Sequence, residues 1–171
     1  GMRYSIQGIV DAAGLTRVSQ LAGLSEARTT ELVDYLKNNT ETVPGGDPEL
    51  EALDFALASM AIEEAVARHA GTIEETYTMM GQTYVQEGKN LTKVRQIVVT
   101  GGSLIHTKRT EQIAAYALYN PAQPASLRPR QADVWVDRTY IMAAMGLLST
   151  RYPQTALRIM KKELEYHGNP E

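Results

Sequence analysis

The sequence predicts an α+β fold, and three observations predict it. From Pro48 onward Leu50, Leu53, Leu57 and Met60 recur at helical spacing. After Gly71 the texture turns to Thr, Tyr, Val and Ile, the residues that suit a pleated surface. Beyond the strand-like segment 96–100, Gly101 and Gly102 lead back into an amphipathic helical pattern.

The first third predicts helices. "SIQGIVDAAGL" is a short amphipathic piece closed by Gly14, and "SEARTTELVDYLKNN" opens on Ser25 as N-cap with Leu32, Val33 and Leu36 on one face. These form a helical module over residues 1–46, bounded by the loop-rich "NTETVPGGDPE". Residues 47–171 are expected to form the second unit. It begins with a helix of about six turns, having Asp47 as N-cap, Pro48 at its first position and Gly71 past its end. The middle of this helix, "FALASMAI", is apolar on nearly every side, which predicts a sandwiched element.

Two strands are expected over 72–79 and 82–87 around a turn near Gly81, and a third over 96–100. The unbroken "IVV" of the third predicts cover on both faces. A helix resumes near Thr110, with Ile113, Ala114, Ala117 and Leu118 inward, and stops at Asn120-Pro121. "NPAQPASLRPRQ" is expected to cross the surface extended, "DVWVD" to form a short strand, and 139–149 a buried helix. A last helix starts at Pro153, with Ala156, Ile159, Met160 and Leu164 inward and Gly168 as its end signal.

Composition narrows the function. With 17 basic and 20 acidic residues and a net charge of −3, the chain lacks the basic clustering of a nucleic-acid footprint. It has no cysteine, which excludes disulfides and thiol nucleophiles and suits a reducing cytoplasm. His69, His106 and His167 are scattered, so no metal site is expected. No apolar run approaches the roughly 20 residues of a membrane span, no signal peptide precedes the first helix, and Gly1 ahead of Met2 is expected to be a cloning remnant.

Gly101 and Gly102 stand where a strand ends and a helix begins. Either they serve only the turn, or they bare backbone at a sheet end where a base or ribose can pack. Ser103 and Thr107 offer hydroxyls there, although capping the next helix is the natural task of Thr107 or Thr110. Lys108 and Arg109 are expected to be a hydrated pair. Glu63 and Glu64 project about 100° apart and are expected to be solvated or ion-paired, and Arg68 and His69 to complement a helix dipole. No nucleophile, general base, P-loop or dinucleotide fingerprint is present, so no catalytic residue is assigned.

"RHAG", "GKNLTKVRQIVVTGGSLIH", "ALYNP" and "YIMAAMGLLSTRYPQTALRIMKKEL" stand in order, and with them the chain resembles the carboxy-terminal part of the MutL/GlmL family. These are accessory proteins encoded beside adenosylcobalamin-dependent mutases such as glutamate mutase and aminomutases such as ornithine aminomutase. The resemblance implies a partial actin-like ATPase, one ribonuclease-H-like half with a short, mostly antiparallel sheet packed by helices. Residues 47–171 would be its adenosine-side half. Its adenosine motif maps onto Val99, Thr100, Gly101, Gly102 and Ser103, of which Thr100, Gly101, Gly102 and Ser103 are the candidate nucleotide-binding residues. ATP or ADP with Mg²⁺ is the implied cofactor of a complete protein. A mutase or aminomutase is the implied partner, reactivated by nucleotide-driven release of damaged cobalamin, and a homodimer is compatible with this role. The phosphate motifs and metal-binding carboxylate of full members would lie before or at Gly1, so the chain is expected to be a truncated form that does not hydrolyse ATP alone. The competing expectation is a helical protein-interaction module that binds no nucleotide.

Overall fold

The computed structural model describes residues 2–170. Four helices come first: α1 (Ile6–Ala13), α2 (Leu15–Ala22), α3 (Glu26–Asn38) and α4 (Pro48–His69). Ser25 Oγ accepts from Arg28 N at 3.2 Å, and Asp47 Oδ1 accepts from Glu49 N at 3.0 Å and Leu50 N at 3.1 Å. Both predicted caps therefore satisfy helix donors that have no partner inside the helix. Helix α2 was not expected. Gly14, at φ 87°, breaks "DAAGLTRVSQLA" into two helices that each bury an apolar stripe, Ile6, Ile9 and Val10 on α1 and Val18 and Ala22 on α2.

One core joins these helices. Ile6, Val18, Leu36, Leu53, Leu57 and Met60 are almost wholly buried together, so α1, α2 and α3 bury their stripes against α4 across the Pro-Gly loop. On another face of the same stretch of α4, Phe55 and Ala58 pack with Ile113. Helix α4 thus has neighbours on both sides, as its all-round apolar character predicts.

Strands β1 (Thr72–Thr78) and β2 (Gly81–Glu87) form an antiparallel hairpin, a sheet by itself. A separate mixed sheet follows in the order β3-β4-β5, from β3 (Gln96–Val99), β4 (Asp133–Val136) and β5 (Glu165–Tyr166). The expected single sheet is therefore two, and the β3–β4 pair is parallel. Between β3 and β4 run α5 (Gly102–Ile105) and α6 (Thr110–Ala115); after β4 come α7 (Ile141–Ser149) and α8 (Pro153–Glu163). Val99, Ile105, Ala114, Val134 and Val136 close the inner face of the mixed sheet. Its outer face carries the cross-strand row Val98, Trp135 and Tyr166.

Several expectations change. Strand β3 lies at a sheet edge with Val98 39 % exposed, so "IVV" is not covered on both faces. Helix α7 has no buried residue, although 139–149 was expected inside. The reason is shared: apolar composition reports a preference for burial, while cover depends on which neighbours the chain supplies. Residues 120–131 do not simply cross the surface, because Ser126, Leu127 and Arg128 are buried. Helix α6 ends at Ala115, and Gly168, at φ 99°, follows the unforeseen β5 and not a helix. No described helix is long and apolar enough to cross a membrane.

Candidate functional site

The β3–α5–α6–β4 segment is a parallel crossover, and the carboxyl ends of its two strands are where such units leave a crevice for ligands. Asp137 N donates to Val99 O at 2.9 Å, extending the parallel ladder by one step, so the loops 100–103 and 137–140 leave the sheet side by side. Gly101 sits at φ 113°, ψ 150°, a conformation closed to side-chain-bearing residues. No heavy atom outside its chain neighbours lies within 4 Å of where its Cβ would be. Gly102 is exposed, and a Cβ there would meet Tyr140 Oη at 3.9 Å. The predicted glycines therefore turn the chain and also leave open backbone beside it.

The facing loop is held rigidly. Buried Asp137 accepts from Ile141 N at 2.8 Å and Met142 N at 3.1 Å, which caps α7. Tyr140, the one non-glycine residue with positive φ among the described residues, sits at 55° and is 52 % exposed. Its hydroxyl oxygen is the group nearest to where a Gly102 Cβ would stand. Sequence reading missed Tyr140, because its placement depends on β3 and β4 lying parallel. The signal was the Asp137 cap motif just after a short strand.

Ser103 lies near Asp54 of α4, a buried carboxyl whose proton affinity is raised chiefly by loss of water, while Arg3 and then Ser103 pull the other way. Arg3 Nη2 lies 2.8 Å from Asp54 Oδ1, a charge contact without hydrogen-bond alignment. Thr100 is exposed, and its hydroxyl has no hydrogen-bond partner among the described residues. Thr107 Oγ1 accepts from Arg109 N at 3.1 Å, whereas buried Thr110 donates to Leu104 O at 2.7 Å and locks α5 to α6. Arg109 is not simply hydrated: its guanidinium stacks 3.2 Å from the Phe55 ring centroid. His106 is exposed.

Away from the crevice, buried Glu63 accepts from Arg17 Nη2 at 2.6 Å and Asn120 Nδ2 at 3.1 Å, with Arg128 Nη1 at 3.6 Å. It is ion-paired, as one of the two expectations held. Arg128 is fully buried and also donates to Gln123. This network lines a shallow cavity of about 240 Å³; another, of about 390 Å³, lies between Tyr119, Arg130 and Asn169. Neither includes residues 100–103. Among the described residues no group of three His, Cys, Asp or Glu is placed to hold a metal ion.

A family model described as MutL protein matches residues 1–164. A curated relative, "Protein MutL" of Clostridium tetanomorphum, is 35% identical over 164 residues, covering 96% of this chain and 35% of the relative's own length. The chain therefore spans about a third of that protein. No solved structure matches.

Proposed function

The chain belongs to the MutL protein family, and from that premise we propose that it is the nucleoside-holding part of an actin-like ATPase that serves a mutase as an accessory protein. One observation carries the nucleotide reading: bare Gly101 backbone stands open at the carboxyl ends of a parallel strand pair. In this reading Gly101 and Gly102 admit an adenosine against the main chain, Tyr140 stacks on the base and Thr100 offers its hydroxyl. Ser103 offers a second hydroxyl beside it.

ATP or ADP supplies the phosphates and Mg²⁺ the charge that steadies them. The residues here fit the nucleoside end, because the space at Gly101 is free of side chains. They offer no carboxylate cluster for the metal among the described residues. Positioning phosphates and Mg²⁺ is most of phosphoryl-transfer catalysis, so this chain binds and does not hydrolyse. Family membership supports the remaining proposals: an adenosylcobalamin-dependent mutase or aminomutase as partner, its reactivation by nucleotide-driven movement, and a cytoplasmic location.

Thermal denaturation tests the site. ADP at about a hundredfold excess over its dissociation constant adds about 2.7 kcal/mol, which for a chain of this size raises Tm by roughly 5–10 °C. Adenosine should act nearly as well, since the protein contacts proposed are to the nucleoside. Gly102→Val, which fills the berth, and Tyr140→Ala, which removes the stacking face, should each shrink the shift. A folded chain whose Tm ignores both ligands would leave the glycines with the turn alone.

A further inference from the structure

Two surfaces of this chain are unusually apolar and carry opposite charge. The β1–β2 hairpin stands apart from the mixed sheet, and the register puts Ile73, Glu75, Tyr77 and Tyr84 on one face. All four are exposed, and at the tip Met79 and Met80 are exposed completely. A two-stranded hairpin is marginal in water without something against it. The second surface is the α7–α8 pair. Helix α7, "IMAAMGLLS", has no fully buried residue, Leu147 is 77 % exposed, and Tyr152 and Leu157 extend the apolar area toward α8. Open apolar surface of this extent marks an interaction site.

The charges complement each other. Residues 72–87 contain Glu74, Glu75 and Glu87 and no Lys or Arg; Glu75 lies on the face of Ile73, Tyr77 and Tyr84, and Glu74 and Glu87 on the opposite face. Residues 141–163 contain Arg151, Arg158, Lys161 and Lys162 against Glu163 alone, so the two segments, counted over both faces of the thin hairpin, have equal and opposite net charge. The three hairpin carboxylates have no ion-pair partner among the described residues, and neither do those four basic residues. Each surface thus lacks what the other offers, in apolar cover and in charge. One polypeptide carries both.

We propose that this chain self-associates, the β1–β2 hairpin of one copy docking on the α7–α8 pair of another. Glu75 meets Lys161 and Lys162, with Glu74 and Glu87 on the far face of the strands adding to the attraction, and Met79 and Met80 enter the apolar area around Leu147. The contact is independent of the nucleotide crevice, so it stands or falls separately from the reading above.

Sedimentation velocity on the 171-residue chain, from micromolar to sub-millimolar concentration, tests it. At low salt the average mass should climb with concentration. In salt near 1 M, where the screening length falls to about 3 Å, the dissociation constant should weaken on the order of tenfold. The double reversals Glu74→Lys with Glu75→Lys, and Lys161→Glu with Lys162→Glu, should each remain monomeric, and mixing the two variants should restore association. If a reversal unfolds the chain by circular dichroism, Met79→Ser with Met80→Ser is the second probe and should also abolish association. A chain that stays monomeric throughout, reversals that associate like the unaltered protein, or a folded mixture that stays monomeric would each overturn the contact.

Discussion

At the scale of single residues, the crevice and the helical core meet at Asp54. Its buried carboxyl is harder to ionise than an ordinary aspartate, chiefly because α4 and its neighbours remove water, and in spite of Arg3 and Ser103. A raised acid pKa means the folded protein holds the proton more tightly than the unfolded chain. The corresponding stability is present below the ordinary carboxylate pKa and is lost as pH rises through the folded one. Asp54→Asn carries no such dependence. Urea denaturation of both proteins should therefore show the unaltered chain gaining on the variant as pH falls from 7 toward 4; a constant difference would remove Asp54 from the account.

At the scale of elements, glycine decides the junction of α4 with the hairpin. Gly71 N donates to Lys89 O at 2.7 Å, and Leu127 N donates to Gly71 O at 2.8 Å, so both ends of the hairpin and the 120–131 loop meet at one residue. A Cβ on Gly71 would run into the Glu87 carbonyl oxygen and lie 2.7 Å from Gly88 C, and backbone cannot move aside as a side-chain tip can. Gly71→Ala should cost about 1–3 kcal/mol, as overpacking does. Limited proteolysis should then cut within residues 72–87 sooner than in the unaltered chain. The same element scale explains α7. Its apolar composition resembles that of a core helix, yet the sequence supplies it only α8 as a close companion, and β5 returns the chain to the sheet edge. Helix preference is local, but cover is not.

At the scale of the whole molecule, Glu63 links α2 through Arg17, the 120–131 loop through Asn120 and the fully buried Arg128. Glu63→Gln leaves the Arg128 charge buried without a counter-charge, a loss of about 3–5 kcal/mol. Adding Arg128→Met should recover much of it, because the penalty belongs to the orphaned charge. A double-mutant cycle by urea denaturation measures this, and a coupling near zero would show that the pair holds nothing together. Helix spacing, the Ser25 and Asp47 caps, the Gly81 hairpin and the glycine turn after β3 were all legible in the sequence, since each arises from residues a few positions apart. Tyr140 beside Gly102, Ser103 near Asp54, Arg109 on Phe55 and Arg128 under Glu63 were not legible. The sequence by itself determined which segments would coil, extend and turn. Only the tertiary structure decided which distant side chains share a crevice or a buried charge, and which apolar faces stay open, because those depend on how parallel pairing of β3 with β4 and packing on α4 bring remote parts of the chain together.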